Sequence, residues 1–390
     1  MPIRPSIPRA ASAFVGAVLT LTAAHVASSP LMAQSGSAPG HPDYERMTGS
    51  ELYREACANC HGIDGTGADP SFLAFEEEVP DFTECTFASR EPDADWVAVA
   101  HDGGPARGFS RMMPAFGGVL NPEQLQRVMD YVRTLCGDDA WPRGELNLPR
   151  ALFTEKAYPE DEAVWEMGTP LESGAGSVMN TLVWEQRFGA RSQIEVLVPF
   201  GVRQRGGTEA DSDEWIGGMG DLTLGVKHAL FHSRERGSIL SLGAEVKLPT
   251  GKEDDGFGNG YAVWEAFASW GQILPAESFL QFQGVFEAPA NSDAPNEAVL
   301  RGGLGRTFTH GAWGRAWSPM VEVQAKRELA DGEEWGWDLI PQLQVTLNTR
   351  QHVQANIGVL FPLTDADIRR TGLYLYVLWD WFDGGFFEGW

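Results

Sequence analysis

No lysine precedes Lys156, and basic residues are scarce overall: 29 Lys and Arg stand against 54 Asp and Glu, a net charge of −25. Neutralising phosphates requires basic patches, and none is visible, so nucleic acid is excluded as a partner. A protein that approaches the N-terminal third meets no lysine cluster, and must bring its own basic face or accept weak steering. Cysteine is equally sparse, at four residues. Long apolar runs are missing too. The one at residues 10–24 follows Arg4 and Arg9 and is too short to span a bilayer comfortably, which is the make-up of a secretory signal. Residues 1–33 are therefore expected to be a signal peptide, with Ala27 and Ala33 as alternative cleavage points and no nearby cysteine for a lipid anchor. Export would place the rest of the chain where disulfides form.

Two of the four cysteines stand in Cys57-Ala58-Asn59-Cys60-His61. In an exported chain, Cys-x-x-Cys-His is the attachment site of a c-type haem: Cys57 and Cys60 form thioethers and His61 reaches the iron. A dithiol redox pair has no need of His61, and a zinc site needs a second ligand cluster that Cys85 and Cys136 do not supply. One covalent haem c is the expectation.

The surroundings read as helices. Thr48 and Glu51 form a capping box, and Leu52, Ala56 and Cys60 share the face that leads into the motif. Asp93 is placed to cap a second helix carrying Trp96, Val97 and Ala100, which stops at Gly103-Gly104. Asn121-Pro122-Glu123-Gln124 opens a third, with Leu125, Val128, Met129, Val132 and Leu135 on one face and Gly137 at its end. Between the last two lies Arg111-Met112-Met113-Pro114. From Thr48 to Cys136 the chain resembles a class I cytochrome c: a helix into Cys-x-x-Cys-His, a Met-Pro loop and a closing amphipathic helix. That resemblance implies Met113 as the distal iron ligand opposite His61, with Met112 as its rival. Met129 reads as core and His101 as a helix-end histidine. Cys85 and Cys136 remain as a disulfide pair, which would stabilise by ~4 kcal/mol on a loop-entropy estimate; the alternative is two unlinked thiols.

Residues 42–139 form this first domain and 140–158 a linker rich in Pro, Arg and Asn; beyond, in 159–390, the pattern changes to period two. Leu240, Leu242, Ala244, Val246 and Leu248 alternate with Ser241, Gly243, Glu245 and Lys247. About twelve strands are expected, at 162–167, 177–188, 191–203, 218–231, 238–249, 260–274, 279–288, 298–309, 316–327, 336–347, 352–361 and 370–381. Tight turns near 189–190, 233–237, 275–278, 310–315 and 348–351 alternate with longer loops over 204–217, 250–259, 289–297, 328–335 and 362–368. An even strand number, short turns at one end, long loops at the other, and Gln, Glu and Lys opposite the apolar positions predict an antiparallel transmembrane β-barrel with a polar lumen, not a soluble sandwich. Trp184, Trp264, Trp270, Trp317, Trp337, Trp379 and Trp381 near strand ends are expected to sit at lipid interfaces. The long loops carry the acidic runs 209–214, 253–255 and 331–334.

The stretches Gly220-Asp221-Leu222-Thr223-Leu224-Gly225-Val226-Lys227 and Glu245-Val246-Lys247-Leu248-Pro249-Thr250-Gly251 resemble the outer-membrane barrel family of the meta-cleavage pathway of phenol degradation. The resemblance covers two adjacent strands and implies a barrel, not a substrate. Trp390 ends the chain as an aromatic often ends such barrels, although Asp383-Gly384-Gly385 interrupts the alternation before it. The expectation is therefore an electron carrier more than an enzyme: a haem domain held in the periplasm by an outer-membrane barrel in contact with lipid, and a periplasmic redox partner. Two alternatives stand beside it. One is a small-solute channel with the haem domain as gate or sensor. The other is oxidation of an external donor such as ferrous iron, by analogy in plan with fused cytochrome-porins.

Overall fold

The computed structural model describes residues 44–381 except 74, 76–77, 172–175, 205–213 and 311–314. The expected signal peptide, most of the acidic run 209–214, the Asp383-Gly384-Gly385 interruption and Trp390 lie outside the described residues.

The first domain is built on helices α1 (Gly49–Ala56), α2 (Ala58–His61), α3 (Cys85–Ala88), α4 (Asp93–Asp102) and α5 (Pro122–Val132). Both expected capping boxes form: Thr48 with Glu51 starts α1, and Asn121 with Gln124 starts α5. Helices α1 and α5 cross so closely that a Cβ on Gly49 would lie 1.9 Å from the Arg127 carbonyl oxygen, so only glycine fits there. Their shared face buries Leu52, Tyr53, Leu125, Val128, Met129 and Val132. Each large apolar side chain so buried contributes about 1.5–3 kcal/mol. A disulfide joins Cys85 to Cys136 across 51 residues, tying the middle loop to the chain beyond α5.

Two details differ from the sequence expectation. Asp93 does not cap α4: Pro92 holds that position, and the Asp93 carboxylate instead accepts hydrogen bonds from Arg133, Arg143 and Arg234. Burial works against that carboxylate, yet the three guanidiniums outweigh it and hold its pKa below the ordinary range. Helix α5 ends at Val132, not at Gly137: beyond the C-cap Arg133, the amides of Thr134 (2.9 Å) and Leu135 (3.0 Å) donate to the Tyr131 and Val132 carbonyls, so the last turn tightens to three-residue bonds.

The second part is a closed antiparallel barrel. Its strands are β1 (Glu162–Pro170), β2 (Ser177–Phe188), β3 (Ser192–Gln204), β4 (Trp215–Met219), β5 (Leu222–Ser233), β6 (Ser238–Leu248), β7 (Val263–Leu274), β8 (Ser278–Pro289), β9 (Glu297–Arg306), β10 (Phe308–His310), β11 (Arg315–Glu328), β12 (Gly336–Thr346), β13 (Val353–Pro362) and β14 (Gly372–Asp380). Strands β4 and β5 both pair with β3, and β9 and β10 both pair with β11, so each couple is one interrupted stave. The wall therefore has twelve staves, closed where β14 meets β1 and β9 meets β11. Leu182, Ile194, Val226, Leu242, Phe282 and Ile357 are exposed on the outside, while Gln193, Glu195, Lys227, Gln281, Glu322 and Gln342 are buried on the inside. That is the polarity of a wall between lipid and a wet lumen. Trp264 and Trp337 stand outside at the long-loop end and Trp317 at the short-turn end, but Trp381 is buried and belongs to no interfacial belt.

The break between β4 and β5 has a cause. Asp221 is buried, and its carboxylate accepts the amides of Gly251 (2.9 Å) and Asn259 (2.8 Å), while the Thr250 hydroxyl bridges the Gly220 carbonyl and the Leu222 amide. The two stretches that resemble the phenol-pathway barrels thus meet as one lock that anchors the loop between β6 and β7.

The segment 140–158, expected to be a simple linker, is more than that: residues 146–160 run inside the barrel. The chain enters from the short-turn mouth, turns at Phe153-Thr154 and returns to begin β1. Lumen side chains satisfy its backbone: Gln281 donates to the Pro149 carbonyl (2.8 Å), Tyr376 to that of Arg150 (2.6 Å), and Gln342, Glu322, Gln283 and Gln193 accept the amides of Leu152, Thr154, Glu155 and Glu160. Arg150 pairs with Glu162 (2.9 Å), Glu166 (3.2 Å) and Glu185 (3.4 Å), and Lys156 with Glu160 (2.5 Å) and Glu162 (3.1 Å).

Replacing Asp221 by Ala strands two loop amides, which costs about 1–3 kcal/mol. The barrel should unfold at a lower temperature in a heat-modifiable gel-mobility assay, and an unchanged midpoint would reject the lock.

Candidate metal centre

Helix α1 delivers Cys57 as its C-cap, and the short α2 carries Cys60 and His61. The turn that follows is fixed by Gly62, whose φ of 76° lies in the left-handed region, and by the Tyr53 hydroxyl, which donates to the Gly62 carbonyl (2.8 Å). The Phe82 ring stacks on the His61 imidazole with centroids 4.7 Å apart, and Trp96 packs behind Phe82 at 5.4 Å. On the other side, the Met-Pro loop lies against the end of α4: the Met113 carbonyl accepts the Gly104 amide (3.0 Å), and the Phe116 amide donates to the Ala100 carbonyl (3.0 Å). A Cβ on Gly104 would fall 2.1 Å from the Ser110 carbonyl oxygen, so glycine is what lets the loop lie flat.

These elements enclose a mostly apolar cavity of about 290 Å³, lined by Cys57, Cys60, His61, Met112, Met113 and aromatic side chains. The four residues expected to hold the group are thus together in one place. Met112 is exposed, whereas Met113 is half-buried at the cavity wall. Met129 is in the core, and His101 pairs with Asp102 at 2.6 Å at the end of α4, outside the cavity lining. Tyr53, Phe82 and Phe109 also line the cavity, and sequence reasoning missed them, because a lone aromatic in a loop or on a helix gives no sign of facing a pocket.

The chemistry of the donors fits haem c. Burial lowers the His61 pKa to about 4, so the imidazole is neutral and able to ligate, and its Nδ1 is buried without a hydrogen-bond partner. Burial, with Cys60 beside it, pushes the Cys57 thiol up to about 12, which suits a reactive dithiol poorly. Cys57 and Cys60 are both free of any disulfide. A bound haem would supply one-electron redox chemistry; Cys57 and Cys60 would hold the macrocycle, and His61 and Met113 would be the candidates to serve the iron.

The first domain is mounted on the short-turn mouth of the barrel. Arg90 pairs with Asp161, Asp93 with Arg234, Glu91 with His352 (3.2 Å), and Gln351 donates to Asp95 (3.1 Å). Arg350 donates to the Gly108 carbonyl (3.1 Å) and lies 4.6 Å over the ring of Phe109, a cavity-lining residue.

Residues 45–132 match the family of cytochrome c oxidase, cbb3-type, subunit III. No curated protein sequence matches the chain. Among solved structures, an outer membrane channel from Pseudomonas putida F1 is similar at 14% identity and a TM-score of 0.45, over 60% of this chain and 100% of that one. The KdgM porin is similar at 8% identity and a TM-score of 0.38, over 56% and 99%. LpxR from Salmonella typhimurium is similar at 9% identity and a TM-score of 0.36, over 56% and 100%.

Met113→Ala should give a haem protein without the low-spin methionine signature, while Met112→Ala keeps it. Optical spectra of the two purified variants check this, and the reverse pattern would reassign the ligand.

Proposed function

We propose that the protein is a mono-haem c-type electron carrier fixed to the outer membrane, and that it exchanges electrons on the periplasmic side. The observation that carries this reading is the shared cavity of Cys57, Cys60, His61 and Met113. Two thiols one turn apart suit covalent attachment of a haem, and a neutral histidine with a thioether lining the same cavity suits six-coordinate, low-spin iron. Methionine ligation raises the potential and leaves no open iron position, which favours transfer over catalysis.

Topology supports that side. Both ends of the barrel, Asp161 and Trp381, lie with the short turns, and in outer-membrane barrels that end is periplasmic. The first domain is docked at this end through Arg90, Asp93 and Glu91. The apolar exterior of the wall supports placement in lipid, with the ~30 Å hydrocarbon layer between the haem and the cell exterior. A donor outside the cell would then need further cofactors to reach the iron. The domain has no lysine, so its periplasmic partner supplies the complementary charge or docks with little steering.

The lumen segment bears on the channel reading. An open diffusion pore needs a clear path, and residues 146–160 occupy the lumen and bind its wall at many points. Beside this plug, a cavity of about 1080 Å³ extends between α4 and lumen residues such as Ser318, Gln344 and Thr346. The barrel is therefore best read as an anchor whose lumen is narrowed by its own chain.

Intact cells offered a bulky, membrane-impermeant reductant should show slow haem reduction that becomes fast once the outer membrane is broken. Fast reduction in intact cells would overturn the periplasmic placement and restore oxidation of an external donor.

A further inference from the structure

Strand register brings glutamates into one row along the lumen wall. Glu185 lies opposite Glu195, Glu195 opposite Gly225, Gly225 opposite Glu245, and Glu245 opposite Glu265. The chain seats its own cations on the rungs nearest the short turns, with Arg150 on Glu185 and Lys227 on Glu155 of the plug (2.8 Å). Next in the row, Glu195 is 4% exposed, and its Oε1 is buried with no hydrogen-bond donor among the described residues. Carboxylate oxygens of Glu155, Glu195 and Glu245 all lie within 4.8 Å of one another.

We propose that Glu155, Glu195 and Glu245 form a site for a hard divalent cation, and that the bound ion pins the tip of the plug to the barrel wall. The donor set consists of oxygens alone, the preference of hard cations. Oxygens within 4.8 Å of one another can reach one ion, and calcium, which accepts flexible all-oxygen geometry, suits donors from three separate segments better than Mg²⁺, which demands a near-ideal octahedron. Charge agrees, since three carboxylates less the Lys227 ammonium leave two negative charges for a dication to neutralise. The three ligands come from the plug, β3 and β6, so the ion joins a segment that has no strand pairing of its own to two staves that do. Gly225 makes the geometry possible, because a Cβ there would fall 2.2 Å from Oε1 of Glu195. This carboxylate therefore lies over the glycine, across the gap in the row that leads to Glu245.

The test uses the whole haem-loaded chain in detergent, stripped with a chelator and titrated calorimetrically with calcium chloride alone. One ion per chain is expected, with binding weakened by at least about tenfold in Glu155→Gln and Glu195→Gln. Gly225→Ala should weaken it as well. That variant keeps all three carboxylates and only displaces the flexible end of Glu195, so it spares the fold, and haem absorbance with folded gel mobility verifies each variant. Calcium at ten times its dissociation constant should also slow maleimide labelling of Leu152→Cys in the plug by about tenfold. No uptake at about 1 mM calcium, or equal affinity in all three variants, would overturn the site. Labelling unaffected by calcium would overturn the pinning. None of these readouts depends on electron transfer, so the site can fail while the redox reading stands.

Discussion

A closed barrel needs its lumen wall to be either wet or partnered, and this chain partners much of it with its own backbone. The Arg150 guanidinium touches Glu162, Glu166 and Glu185, while its carbonyl receives the Tyr376 hydroxyl at 2.6 Å. Removing that one cation would leave Glu162 to Lys156 alone and take from Glu185 its ion pair in a buried site, where an unpaired charge is costly. The plug, the first stave and the mounting of the haem domain meet here, because the same segment leads directly into Asp161, the partner of Arg90. The position of the haem domain is thus a consequence of how the lumen is filled.

Much of this was legible beforehand. Period-two alternation placed every stave of the barrel, because a wall with lipid on one face and a polar lumen on the other imposes strict alternation on each strand. The helix starts were legible for a local reason: Thr48 with Glu51 and Asn121 with Gln124 are self-contained hydrogen-bonding units. Cys-x-x-Cys-His needed no fold to be read, since its chemistry is fixed by spacing.

What was hidden depends on contacts distant in sequence. Asp93 reads as a cap, yet Arg133, Arg143 and Arg234 lie 40, 50 and 141 positions away and claim its carboxylate. Residues 140–158 have no periodicity and so read as a linker, but the part of the chain that runs inside the barrel is ordered by side chains on many different strands, such as Gln281, Glu322 and Gln342. Trp381 looks interfacial by its place at a strand end, and only its burial gives it another role. In the haem cavity, the histidine and the thiols were visible by motif, whereas Phe82, which stacks on His61, carries no motif at all.

The central claim is that the iron site is closed on both faces and serves transfer, not catalysis. Resonance Raman of the reduced, purified whole chain measures this most directly. The account predicts six-coordinate, low-spin ferrous haem with His/Met ligation; a five-coordinate, high-spin ferrous haem would contradict it.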